Sequence, residues 1–153
     1  MAAAPRRRAA GKLQPQRFGT PRPPASPSAR RPVRRRRRAS GKVRVAMVGA
    51  GAMANSVHYP SLASFPDVEI VAICDLDPPR LEQTADRYGV ERRYASYPQM
   101  VADTSPDAVY AIGQPHLMYD VWVWCLTQGL NLFIEKPMSM SLHQARSLAH
   151  LAR

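Results

Sequence analysis

From residue 42 onward, apolar runs of four to seven residues alternate with longer helical stretches, and that alternation narrows the possible folds more than any other feature of the chain. The runs predict strands at 43–48, 68–74, about 93–95, 107–112 and 131–134, with helices near 52–64, 78–88, 97–103, 116–128 and 141–152. Strands that are apolar almost throughout have no polar face to offer water. Both faces of their sheet must be covered, as is the habit of parallel sheets. Right-handed crossovers then place helices on both sides, giving an α/β, doubly wound parallel sheet. Asp77-Pro78-Pro79 supplies a capping acid ahead of prolines at the first helical positions. Pro60 lies inside the first helix, which should kink or restart there.

The first strand runs directly into Gly49-Ala50-Gly51-Ala52-Met53-Ala54, a G-x-G-x-x-G/A pattern. In a dinucleotide-binding turn the first glycine permits the tight bend. The second removes a side chain where the backbone approaches a pyrophosphate, and a small third residue lets helix and strand pack closely. The helix that starts here aims free N–H groups and a positive dipole end at the phosphates. The pattern alone is weak, but here it sits between a strand and a helix, as the mechanism requires. The second strand ends in Asp75, 26 residues after Gly49 and 21 after Ala54, where a carboxylate can accept hydrogen bonds from the adenosine ribose hydroxyls. The sheet is therefore expected to be of the Rossmann type, with five strands present and the sixth missing. The other reading of the same residues is a glycine turn in a different α/β fold, with Asp75 a surface acid. A ribose 2′-phosphate about 4 Å from the Asp75 carboxylate would be repelled by about 1 kcal/mol per unit charge in water. That favours NAD over NADP, although Arg80 could offset the repulsion by reaching back from the next helix.

Charge enters because it is so unevenly spread. The chain carries 22 Lys+Arg against 11 Asp+Glu, a net charge of +11, yet residues 1–40 hold 13 of the basic residues and no acid. The remainder is slightly acidic. Residues 1–41 also contain 7 of the 15 prolines and few large apolar side chains, so they are expected to form a disordered Arg/Pro-rich extension ahead of a domain at 42–153. Three readings of this extension stand side by side: a phosphate-binding basic arm, a transit peptide, or an extension with no role. Its prolines oppose the amphipathic helix of a transit peptide, and no aromatics interleave its arginines as they do in single-strand binders. Nucleic acid is thus not expected as the main partner. Two cysteines form neither a disulfide framework nor a zinc pattern. No apolar run reaches the roughly 18 residues of a membrane span, and no signal peptide is evident. A reduced, cytoplasmic protein is expected.

The fifth strand runs into Glu135-Lys136-Pro137. Together with Val45-Ala46-Met47-Val48-Gly49-Ala50-Gly51, His58-Tyr59-Pro60-Ser61-Leu62, Ile73-Cys74-Asp75 and Gly129-Leu130-Asn131-Leu132-Phe133-Ile134, this triplet resembles the N-terminal domain of the Gfo/Idh/MocA oxidoreductases. The resemblance covers residues 42–153. It implies hydride transfer between NAD(P) and a hydroxyl or carbonyl of a sugar, inositol or related polyol. It also implies a homo-oligomeric assembly and a second domain carrying most substrate contacts. Lys136 would be the catalytic lysine, touching nicotinamide ribose and substrate oxygen, and its ammonium could polarise that oxygen or relay its proton. Glu135 would hold the cofactor end of the site, and Pro137 would follow a cis peptide, as in relatives. Gly49, Ala50, Gly51, Ala52 and Met53 would line the phosphates.

The chain departs from the family pattern after the fourth strand. Relatives often show Thr-Pro-x-x-x-His there, and counting back from Gly129 puts that motif on Gly113 to Met118, with Met118 at the histidine position. Gly113, Gln114, Pro115 and His116 are still expected on the nicotinamide side, with a capping or packing role for His116 standing beside a site role. His58 is left open between an approach to the phosphate helix and a core or surface role. His143 and His150 are read as polar-face residues of the last helix. Leu117, Val121, Trp124 and Cys125, with Met118, Trp122 and Leu126, form a helical stripe wide enough to suggest a second packing surface. With no segment for the second domain, the fifth strand is expected to be a bare edge. This chain alone is then expected to bind nucleotide without turnover. Two other functions remain in view: a non-catalytic nucleotide-binding or interaction module, and a degenerate scaffold carrying a basic nucleic-acid-binding arm.

Overall fold

A computed structural model describes residues 41–153; the extension expected at 1–41 lies outside the described residues except for Gly41. Five parallel strands, β1 (Val43–Val48), β2 (Val68–Cys74), β3 (Arg93–Tyr94), β4 (Ala108–Ala111) and β5 (Asn131–Ile134), form one sheet in the order β3-β2-β1-β4-β5. The order reverses between β1 and β4, so the sheet is doubly wound with its switch point at the end of β1. The helices are α1 (Tyr59–Ser64), α2 (Pro78–Tyr88), α3 (Tyr97–Thr104), α4 (Pro115–Thr127) and α5 (Leu142–Leu151).

Two cores flank the sheet. On one face Met47, Ile73 and Val45 pack with Tyr59, Leu62, Leu81 and Ala85 of the α1 and α2 side. On the other, Ala46, Ala72, Val109 and Ala111 pack with Tyr97 and Met100 of α3, Trp122 and Cys125 of α4 and Leu148 of α5. Small residues on the strands of the second face leave room for the Trp122 ring, whose indole N–H donates to the Ala111 carbonyl at 3.1 Å. Met118, Val121, Trp122 and Cys125 of the α4 stripe are thus core rather than a second packing surface, while Leu117 stays exposed. Trp122 is completely buried, Trp124 packs edge-on against Tyr97, and α5 lies against α4.

As expected, the helix restarts at Pro60, which stands in the first turn of α1. Residues 54–58 widen into a π-helical turn, Ala54–His58, that continues into α1. Proline clashes with the carbonyl four residues back and has no N–H to bond it. In the wider turn the Tyr59 N–H bonds Ala54, five residues back. Asp77 caps α2 as expected, accepting the Arg80 N–H at 3.2 Å. Among the described residues β5 is one outer strand, with Phe133 40% exposed and Met138, Met140 and Leu142 exposed beyond it.

Candidate functional site

Because all five strands are parallel, their C-terminal ends share one edge. The register aligns Cys74 with Val48, Val48 with Ala111, and Ala111 with Ile134. Asp75, Gly49, the Ile112-Gly113 turn and Glu135-Lys136-Pro137 therefore stand in a row along that edge. The row spans three strand spacings, roughly 14 Å.

The glycine turn is held by its own bonds. Gly49 has φ +105°, and a Cβ there would run into the Ile112 carbonyl oxygen, so only glycine fits. The Gly49 N–H donates to the Cys74 carbonyl at 2.8 Å, and the Tyr59 hydroxyl donates to the Gly49 carbonyl at 3.1 Å. Burial, and after it the nearby Asp75 carboxylate, raises the Tyr59 pKa, which keeps that hydroxyl a donor. Asp75 ties the turn to β2: Oδ2 accepts the Ala50 N–H at 2.6 Å and Oδ1 the Asp77 N–H at 2.8 Å. The Asn55 amide donates to the Ala50 carbonyl at 2.8 Å and to Thr84 Oγ1 at 3.0 Å, which fastens the turn to α2.

Gly51 is different. A Cβ there would meet nothing within 4 Å. Its bareness serves no internal contact and leaves open approach to the helix start. The chain is helical from Ala52, and the Asn55 N–H already bonds the Gly51 carbonyl. The N–H groups of Ala52, Met53 and Ala54 are the first-turn donors that have no intrahelical acceptor. Ala50, Gly51, Ala52 and Asn55 line one wall of a cleft of about 270 Å³; Arg80, Gln83, Thr84 and Arg87 of α2 line the other. Arg80 is paired with Asp77 (Nε–Oδ2 3.2 Å) and stays exposed.

At the other end of the row, Lys136 is exposed and joined to Pro137 by a cis peptide. The Glu135 carboxylate bonds His58 Nε2 at 2.8 Å and accepts the Lys136 N–H at 3.1 Å. Gly113 and Gln114 are exposed at the β4 end, Gln114 is the N-cap of α4, and Pro115 and His116 open the helix with His116 exposed. Met118 is buried, and its side chain fills the space where a Cβ on Gly113 would lie. His143 and His150 are exposed on α5. Sequence reasoning missed Asn55 and Thr84, and missed that His58 belongs to Glu135. Asn55 directly follows the glycine pattern, which was the available signal for it.

An edge of this kind, with a bare glycine, free helix-start donors and an acid on the neighbouring strand, defines a nucleotide-binding Rossmann domain, and its residues fit a dinucleotide. The model of the Gfo/Idh/MocA oxidoreductase family, with NAD-binding Rossmann fold, matches residues 43–153, and the chain belongs to that family. It is similar to the D-glucoside 3-dehydrogenase of Escherichia coli (strain K12), 31% identical over 114 residues, 74% of this chain and 32% of the relative. It is also similar to the myo-inositol 2-dehydrogenase of Thermotoga maritima, 26% identical over 100 residues, 65% of this chain and 30% of the relative. Among solved structures, the WlbA dehydrogenase from Chromobacterium violaceum in complex with NADH and UDP-GlcNAcA matches at TM-score 0.69 and 30% identity, over 74% of this chain and 33% of that one. A 3-ketoreductase from Actinomadura kijaniata in complex with NADP matches at TM-score 0.65 and 28% identity, over 73% and 36%. The chain spans about a third of the length of these relatives. The cofactor of the family is NAD, with NADP bound in some relatives. Among the described residues no helix is long and apolar enough to cross a membrane, and no group of three or more His, Cys, Asp or Glu side chains could hold a metal ion.

Proposed function

We propose that residues 42–153 form the NAD-binding domain of an oxidoreductase acting on a hydroxyl or carbonyl of a sugar, inositol or related polyol. The observation that carries this reading is the alignment of the bare Gly51 turn, Asp75 and Lys136 along one sheet edge. Gly49, Ala50, Gly51, Ala52 and Met53 would cradle the pyrophosphate. The donors come from Ala52 and Met53, since the Ala50 N–H is already engaged by Asp75. Asp75 keeps unused lone pairs on both oxygens for ribose hydroxyls. NAD is preferred over NADP because a 2′-phosphate would face this carboxylate, and because Arg80 is turned to Asp77. When bound, NAD supplies the hydride acceptor. Gly113, Gln114, Pro115 and His116 would line its nicotinamide side. Glu135 and Pro137 would fix the corner from which the Lys136 ammonium polarises the substrate oxygen or carries its proton. The relatives' names support the sugar and polyol class.

Turnover would need substrate contacts from a second domain, so residues 42–153 by themselves would bind dinucleotide without catalysis. The two cysteines are buried free thiols, which suits a reducing compartment such as the cytoplasm. Thermal unfolding of the full chain with NAD, NADP or neither tests the reading. NAD at about 100 times its Kd should add roughly 2.7 kcal/mol of stability, with less from NADP at equal concentration. No shift with either would remove it.

A further inference from the structure

The Glu135 carboxylate sits between two donors. Its Oε1 is 2.8 Å from His58 Nε2, and its Oε2 accepts the backbone N–H of Lys136 at 3.1 Å. His58 is 6% exposed, and its ring packs against Tyr110 and Phe133 with centroids 6.1 and 5.3 Å away. A ring clamped in this way holds its nitrogen in one place. His58 is also the last residue of the π-helical turn, part of the helix whose first turn is the phosphate loop. The widened turn sets which residue of that helix faces β5; an unbroken α-helix would present its side chains in a different phase. A continuous path therefore runs from the glycine turn along the helix, through His58 and Glu135, to the main chain of Lys136.

Resting on the dinucleotide reading above, we propose that His58 is a positioning residue. It fixes the Glu135 carboxylate, and through it the backbone at Lys136, in the frame of the phosphate-loop helix. The pyrophosphate end and the nicotinamide end of one bound dinucleotide are thereby set relative to each other. A half-buried carboxylate without that donor would be left to find another partner, and the Lys136 corner would move with it.

Calorimetric titration of the full chain with NADH and with ADP-ribose, which lacks the nicotinamide, tests this. His58→Phe keeps a ring against Tyr110 and Phe133 and removes the donor. It should weaken NADH by about tenfold, the size of one charge-assisted hydrogen bond, and leave ADP-ribose unchanged. His58→Gln carries an N–H donor of similar reach and should restore the native NADH to ADP-ribose ratio. A folded His58→Phe chain that keeps the native ratio, or loses both compounds equally, overturns the proposal. If His58→Phe does not fold, Glu135→Gln decides: selective loss of NADH supports the proposal and a native ratio overturns it. If the native chain binds neither compound, the dinucleotide reading fails and takes the proposal with it. If it binds both while the variants keep the native ratio, only the proposal fails.

Discussion

The two ends of the candidate site are built differently. The glycine turn is locked from four directions, by Cys74, Tyr59, Asp75 and Asn55, and it stands over a fully buried core. The Glu135-Lys136-Pro137 corner stands on an outer strand with exposed apolar neighbours and is held by one carboxylate between His58 and the Lys136 N–H. Stability and ligand recognition are thus entangled at the first end and separable at the second. If this turn cradles a pyrophosphate as proposed, its preorganisation would keep the ordering entropy lost on binding small. An exposed Lys136 at the far end would, in the proposed role, keep its ammonium free for a reacting atom, and it should cost the fold little whether present or absent.

Substitutions can break that contrast. Gly49→Ala should have the largest effect, a loss of about 3 kcal/mol or more, since the new Cβ meets the Ile112 carbonyl and the backbone has positive φ. A urea-unfolding midpoint close to the native value would show that the turn is not constrained as described. Asp75→Asn should cost about 2 kcal/mol, because it replaces a charged acceptor of the Ala50 and Asp77 N–H groups. The same variant should narrow the preference for NAD over NADP, which parallel titrations with the two cofactors would read.

Alkaline pH should weaken the fold by about 1–2 kcal/mol between pH 7 and pH 9.5. Burial pushes the Cys74 and Cys125 thiols from 9.0 up to about 12, with Asp75 adding to the rise at Cys74, and burial also raises Tyr59 from 10.0. Above pH 9 the unfolded chain releases protons that the folded chain keeps, so this stabilisation is complete below pH 9 and is lost as pH rises toward 12. Urea unfolding at the two pH values checks both sign and size; unchanged stability would mean that these groups are not desolvated. The smallest effect should come from Lys136→Ala, within about 0.5 kcal/mol of native stability, as expected of an exposed side chain with no structural partner. A larger loss would show that the two ends are not as different as the geometry makes them.

The fold was legible because its signals are local. Apolar runs marked β1, β2 and β5 to the residue, and Asp77 and the prolines marked the start of α2. β4 is shorter at both ends than the apolar run suggests. Asp107 keeps its N–H bond to the Arg44 carbonyl but answers the Arg44 N–H with its carboxylate instead of a backbone carbonyl, and Ile112 begins the turn that closes over Gly49. The glycine turn and Asp75 could be named from spacing and Lys136 from the family resemblance of its triplet, and the parallel order brings all three to one edge. What sequence could not give were contacts between distant residues. His58 and Glu135 are 77 positions apart, and the π-helical turn changes which residue of the first helix faces β5. Nor could it show that Asp75, read as a ribose acceptor, first serves to brace Ala50. The stripe on α4 misled because most of it, Met118, Val121, Trp122 and Cys125, turns into the sheet's own core, with α5 packed beside it; Leu117 alone of the stripe is exposed.

The central claim, that the space over the glycine turn is kept for a pyrophosphate, is tested most directly at Gly51. Its Cβ position is open, so Gly51→Val should fold with stability within about 1 kcal/mol of native. The added side chain would occupy the approach to the Ala52 and Met53 N–H groups, and NADH affinity measured by calorimetry should fall by about a hundredfold or more. A folded Gly51→Val chain that binds NADH with native affinity would contradict the account.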